Sequence, residues 1–210
     1  MRREPRSARG QSGRPTVRKG VVRLHDDVAQ RIWLGHPFVY SEALDPKKPL
    51  GAQGTLVELN DWEGAFIARG VVDGNSAIAI RVVSRNERSA VGAEMWASRV
   101  NAAIDMRASF FDLESMECLR LINAENDGIP AISVDRYGDF LVVQVSTPAV
   151  ELFLPAIYDA LEARLSPKGI YEQRRYKPLG GEAPRTGSEL VRGSVAPVEF
   201  AVSEGPLKFL

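Results

Sequence analysis

Apolar and polar positions alternate at residues 55–59 (TLVEL), and close behind come AFIARGVV at 65–72 and AIAIRVV at 77–83. Alternation with period two marks half-buried strands. The connections NDWEG and DGN carry the Asn, Asp and Gly that tight hairpin turns need. Upstream, residues 21–24 read as a strand and residues 26–34 as a short helix with an acid at its start, broken by Gly35 and Pro37. Residues 45–54 (DPKKPLGAQG) read as a loop. Short strands at this spacing predict a small closed or semi-closed β-barrel, giving a first domain over residues 18–85.

The period then changes. Met95, Trp96, Val100, Ala103, Ile104, Ala108 and Phe111 recur at spacings of one, three and four, which predicts an amphipathic helix within a connector at 86–115. Strands are expected at 118–123, 131–135 and 140–145, then a helix from Pro148 to Leu165, with further strands at 169–173 and 197–202. Strand, strand, strand, helix, strand is a compact α+β module, placed at residues 116–210. The fold class expected for the chain is therefore α+β.

Charge changes this picture at one end. The formal net charge is zero from 27 basic and 27 acidic residues. Residues 1–20 hold seven basic side chains and one acid, Glu4. Taking these from the totals leaves 20 basic and 26 acidic residues in the rest of the chain. The arm at residues 1–17, rich in Gly, Ser and Pro, is expected to be disordered; it reads either as a tether that contacts phosphates or as a solvated tail. The single cysteine, Cys118, excludes an internal disulfide and a cysteine-cluster zinc site. No apolar run reaches the roughly 20 residues of a membrane helix, and no signal peptide is visible, so a cytoplasmic protein without a membrane partner is expected.

Residue patterns offer little catalysis. Neither a GxGxxG after a strand nor a GxxxxGK[ST] loop is present. His25 and His36 lack the spacing of a metal-binding helix, so no metal site is expected. Glu125, Asp127, Asp135 and Asp139 read either as an acid–base cluster or as turn acids, and their Asp-Gly and Gly-Asp contexts favour turns. Cys118 reads as a structural thiol. Candidate RNA contacts are Lys19, Arg23, His36, Arg69 and Arg81 in the first domain. In the second they are Arg136 and Tyr137 at a hairpin tip, and Arg174, Arg175 and Lys177 interleaved with Tyr171 and Tyr176. Rings stack on bases while cations neutralise phosphates, although charged edge strands look similar.

Longer stretches carry a resemblance. VRLHDDVAQRIWLGHPFVYSEAL, GTLVELND and GAFIARGVVDGNSAIAIRVVS resemble the N-terminal PUA domain of class I S-adenosylmethionine-dependent ribosomal RNA methyltransferases, in particular the large-subunit cytosine-C5 branch. RLINAENDGIPAISVDRYGDFLVVQVS is similar to that family's RLVNGEGDGLPGLVVDRYGD-type segment, with Glu125-Asn126 as a minor departure. The resemblance implies ribosomal RNA as partner and S-adenosylmethionine as cofactor of the full-length family. In that family a segment like EGPLKFL leads into a Rossmann-like methyltransferase domain with the cofactor loop and a catalytic cysteine. The expectation is that this domain is absent here, so no catalytic or cofactor-binding residue is carried over and the chain alone is inactive. A homodimer or a separately encoded catalytic domain are the implied partners. A stand-alone PUA-type RNA-binding adaptor is the alternative, and a decayed product with a stranded apolar interface is a third reading.

Overall fold

The computed structural model describes residues 20–45, 50–74, 77–176, 187–204 and 207–209. Strand β1 (Gly20–Arg23) leads into helix α1 (Asp26–Trp33), followed by β2 (Phe38–Tyr40), β3 (Leu56–Asn60), β4 (Phe66–Val72) and β5 (Ile78–Ser84). These strands form one five-stranded sheet in the order β1-β3-β4-β5-β2. The β1–β3 pair is parallel and the others are antiparallel. Alternation in TLVEL does what period two requires, burying Val57 and Leu59 against α1. Helix α1 lays Val28, Ala29 and Ile32 on the same core.

The expected small barrel is corrected here. Hydrogen-bonded neighbours run from β1 to β2, with no pair between those two edges among the described residues, so the sheet is mixed and open. The edge strands are short, of four and three residues, and α1 covers the apolar face that closure would otherwise have hidden. Gly70 lies where β4 packs tightly against β5. A Cβ there would lie 2.4 Å from Ile80 Cγ2 and 2.9 Å from the Arg81 carbonyl oxygen.

A second sheet follows helix α2 (Ala93–Ala108). It contains β6 (Cys118–Asn123), β7 (Ile132–Tyr137), β8 (Phe140–Val145), β9 (Gly169–Arg174) and β10 (Glu189–Gly193), in the order β10-β9-β8-β7-β6. Helix α3 (Leu154–Leu165) makes the crossover between the parallel strands β8 and β9. The expected strand, strand, strand, helix, strand module is therefore extended by β10, which pairs antiparallel with β9. The strand expected at 197–202 is corrected to a hairpin of β11 (Val202–Glu204) and β12 (Leu207–Phe209). Helix α2 ends at Ala108, short of Phe111, and leaves Phe110 76% exposed.

Helix α2 is no bare connector. Its Trp96, Val100, Ala103 and Ile104 join Ile157 and Leu161 of α3 over the second sheet, and Trp96 tilts against Phe153 at 4.6 Å. Val71 and Val83 of the first sheet belong to this same core, so the two sheets share buried apolar surface.

Candidate nucleic-acid interface

Turn chemistry positions the most distinctive surface of the first sheet. Between β3 and β4 the Asp61 carboxylate accepts from Ala65 N–H at 2.7 Å, Asn60 Nδ2 donates to the Gly64 carbonyl at 3.1 Å, and Gly64 takes φ +94°. That closed turn presents Trp62, 61% exposed. His25 stands at the N-cap of α1 without capping it. Its ring lies parallel to the Trp62 indole, with centroids 5.8 Å apart and planes 9° from each other. Both rings border a groove of about 1220 Å³, lined also by Arg23, Arg31, Asn60 and Leu44. Arg23 has no ion-pair or hydrogen-bond partner for its side chain among the described residues, whereas Arg31 pairs with Asp27 at 2.6 Å. That Arg31 contact holds the Asp27 carboxyl below the usual carboxylate range.

Other sequence candidates are scattered, and the structure does not gather them into one site. Lys19 and Lys177 lie outside the described residues. Phe38 N–H donates to His36 Nδ1 at 3.2 Å, in a cluster with the Phe38 and Tyr40 rings. Arg69 donates to the carbonyls of Asn86, Glu87 and Ser89. Arg81 is buried, pairing with Asp73 at 2.7 Å and Glu125 at 2.8 Å, its guanidinium 5.3 Å from the Phe38 ring centroid. Arg136 donates to the Gly138 and Leu113 carbonyls. Arg174 donates to Glu172 and pairs with Glu151, which also accepts from Tyr176. Arg175 is exposed and meets Gln173 at 3.1 Å. Tyr137, 41% exposed, borders a cavity of about 430 Å³ with Cys118, Arg120 and Phe209.

The four acids carry internal bonds. Asp127 pairs with Arg107 at 2.7 Å and accepts from Asn123 N–H at 2.5 Å. Glu125 accepts from Arg81 and from Ala131 N–H. Asp135 takes a two-pronged bond from Arg120 at 2.8 and 2.9 Å and a third from Gln144 at 3.0 Å. Asp139 pairs with Lys168 at 2.6 Å. Each carboxylate is thus held by a cation, and Glu125 and Asp127 by a backbone donor as well, as turn and scaffold acids are. No cluster of metal-ligating side chains occurs among the described residues, and no helix among them is long and apolar enough to cross a membrane. Residue patterns missed the His25–Trp62 stack because the partners come from separate turns; an aromatic at the tip of NDWEG was the available signal.

Residues 22–85 match the family model described as a PUA-like domain. The chain is 30% identical over 186 residues to the "Ribosomal RNA large subunit methyltransferase I" of Tolumonas auensis, covering 88% of this chain and 46% of that protein. It is 27% identical over 175 residues to the protein of the same name from Cronobacter sakazakii, covering 83% and 44%. Among solved structures it resembles "A putative sam-dependent methyltransferase from Streptococcus mutans", with TM-score 0.76 and 17% identity over 90% of this chain and 47% of that one. A second, "a putative methyltransferase complexed with SAH", gives TM-score 0.77 with the same coverage. The chain thus spans less than half the length of the curated relatives it matches. This likeness also corrects the expected fold class, a small barrel and α+β module with the Rossmann-like methyltransferase domain absent: 90% of the chain follows the fold of these structures. Residues 22–85 are PUA-like, and the chain is homologous to ribosomal RNA large subunit methyltransferase I.

Proposed function

We propose that this chain recognises ribosomal RNA for an S-adenosylmethionine-dependent methylation of the large subunit, at C5 of a cytosine, and that the groove beside Trp62 receives an unpaired base. The observation that carries the RNA reading is the parallel His25–Trp62 stack lining a groove that also holds Arg23, whose side chain has no partner among the described residues. A flat exposed ring extends by stacking on a base at about 1–3 kcal/mol, and a nearby guanidinium neutralises the phosphate that follows. The body of the chain, residues 21–210, is net acidic, so attraction to RNA rests on local sites and not on a general basic field. Homology to the large-subunit methyltransferases supports ribosomal RNA as the partner and methyl transfer as the activity of the whole enzyme. The cytosine-C5 assignment rests on the resemblance of the RLINAENDGIPAISVDRYGD segment.

Binding of the purified chain to fluorescein-labelled single-stranded fragments of large-subunit ribosomal RNA tests the reading. Affinity is expected to fall linearly with salt on logarithmic axes. Trp62→Ala is expected to weaken it roughly 5- to 150-fold, the value of one stacked base. Salt-independent or absent binding, or a Trp62→Ala variant equal to wild type, overturns it.

A further inference from the structure

We propose that the loop joining the two sheets is a second anchoring point, a site for a backbone phosphate of RNA held by Arg85, Arg88 and Arg99. It rests on the RNA reading above and lies on different residues from the Trp62 groove.

Residues 85–92 run from the end of β5 to the start of α2. Arg85 donates through Nε to the Ile32 carbonyl and through Nη2 to the His36 carbonyl, both at 2.8 Å, so it ties the end of α1 to the Gly35-His36 turn. Arg99, on α2, lies over the Trp96 ring at 5.3 Å and donates to the Gly128 carbonyl at 2.5 Å. Beneath the loop, Arg69 holds the carbonyls of Asn86, Glu87 and Ser89. Arg88 is exposed in the loop itself. Arg85 and Arg88 thus belong to one short segment that Arg69 holds by its carbonyls, with Arg99 near enough to Arg85 to feel its charge; the segment's own acid is Glu87.

What distinguishes this cluster is the missing counter-charge. Arg81, Arg107, Arg120 and Arg174 each meet a carboxylate within 3.1 Å. Among the described residues, no ion pair is formed by Arg69, Arg85, Arg88 or Arg99; where they have printed partners, these are neutral carbonyls. Carbonyls satisfy N–H donors without cancelling a unit charge. The acids at the seam are engaged elsewhere, Asp73 and Glu125 on Arg81 and Asp127 on Arg107. Burial, and then the charge of neighbouring Arg85, lowers the Arg99 affinity for its proton.

A phosphate supplies the missing charge. Each guanidinium has five N–H donors in a planar fork that fits two phosphate oxygens, and the carbonyl contacts occupy only part of that set. Those same contacts fix the forks before the ligand arrives, which cuts the ordering cost of binding. Arg85 and Arg88 are exposed and Arg99 is half-buried, so the site is reachable from solvent. Trp33 and Leu34, beside the Ile32 carbonyl that Arg85 holds, are 70% and 69% exposed and suit the sugar–base side of a strand.

The test measures binding of the whole chain to the same labelled RNA over a salt series, for wild type, Arg85→Gln/Arg99→Gln, Arg85→Lys/Arg99→Lys and Trp62→Ala. Losing one or two phosphate contacts is expected to lower the slope of log affinity against log salt by about 0.7–1.4 and to weaken binding roughly tenfold or more. The lysine pair keeps the charge and is expected to retain most of the slope, while Trp62→Ala loses affinity with its slope unchanged. Thermal unfolding checks that each variant is folded. Should the glutamine pair not fold, Arg88→Gln, whose side chain has no partner among the described residues, is read instead against a slope loss of about 0.7. Wild-type slope and affinity in the folded glutamine variant overturn the phosphate site and leave the base groove standing. Absence of RNA binding by wild type overturns both.

Discussion

Thr147, at the turn after β8, donates its hydroxyl to Asp73, at the end of β4, over 2.5 Å. The other oxygen of the same carboxylate takes Arg81 Nε at 2.7 Å, and Arg81 reaches on to Glu125 at 2.8 Å. Asp73 is 2% exposed and Thr147 4%. One buried carboxylate thus joins the first sheet to the second through a hydroxyl on one side and a guanidinium on the other. Removing the Asp73 carboxylate leaves buried Arg81 to Glu125 alone and Thr147 without its acceptor, at up to about 3–5 kcal/mol. Asp73→Ala is expected to lose about that much in urea unfolding. Thr147→Val, which removes a neutral donor and a helix cap, should lose about 1–3 kcal/mol. A loss under about 1 kcal/mol for Asp73→Ala would show that the seam is held by apolar contacts alone.

Gly70 is expected to tolerate no side chain. An added methyl would stand 2.4 Å from Ile80 Cγ2, and the Arg81 carbonyl at 2.9 Å belongs to rigid backbone. Overpacking of this kind costs about 1–3 kcal/mol. Gly70→Ala should lower the unfolding midpoint with no change in denaturant slope. An unchanged midpoint would mean that β4 and β5 separate more easily than their register suggests.

How far residue patterns carried depends on the range of the interaction. TLVEL announced β3 because period two is local, and the spacing of Trp96, Val100, Ala103 and Ile104 announced α2 for the same reason. The Asp127-Gly128 turn was legible, and Gly128 indeed adopts φ +69°. Pairing was not. The parallel match of Gly20 to Val57 crosses α1 and β2, and nothing local encodes it. Strand β10 was invisible because ELVRG is polar at its ends and gains its place only beside β9. Arg81 read as a candidate RNA contact within AIAIRVV, since a strand residue facing inward toward Asp73 reads the same as one facing out. Its second acid, Glu125, lies 44 residues away. The base groove was missed on similar grounds: His25 and Trp62 acquire meaning only when the two turns meet.

Cys118 should react slowly. Burial, then the carboxylates of Glu204 and Glu117, raise its thiol above the ordinary cysteine range. The thiolate is the nucleophile, so alkylation by iodoacetamide near pH 8 is expected to be slower than for a free cysteine, with its pH profile displaced toward alkali. The sign for stability follows. The folded thiol binds its proton more tightly than the unfolded one, so its contribution is present below the unfolded value and is lost as pH rises through the folded one. Glu204→Gln should move the alkylation profile back toward acid. A profile that matches a free cysteine would place the thiol in open solvent.

Arg174 and Arg175 are adjacent in sequence and opposite in expected consequence. The first donates to Glu172, 6% exposed, which also accepts from the Tyr158 hydroxyl, and it pairs with Glu151 at 3.1 Å. Burial, and the bond to Glu172, raise the Tyr158 hydroxyl far above the usual tyrosine range, so that residue stays a donor throughout the neutral range. Arg174→Gln therefore leaves Glu172 buried with a neutral partner, and a loss of about 3 kcal/mol is expected. The salt slope of RNA binding should not move, since the Arg174 charge is already balanced. Arg175 is exposed, with Gln173 as its partner. Arg175→Gln is expected to change stability by under about 0.5 kcal/mol, so any effect it has on the RNA salt slope reports contact and not misfolding. Measuring unfolding and salt slope on both variants separates scaffold from surface within two residues. A stable Arg174→Gln with a reduced slope would reassign that side chain to the RNA.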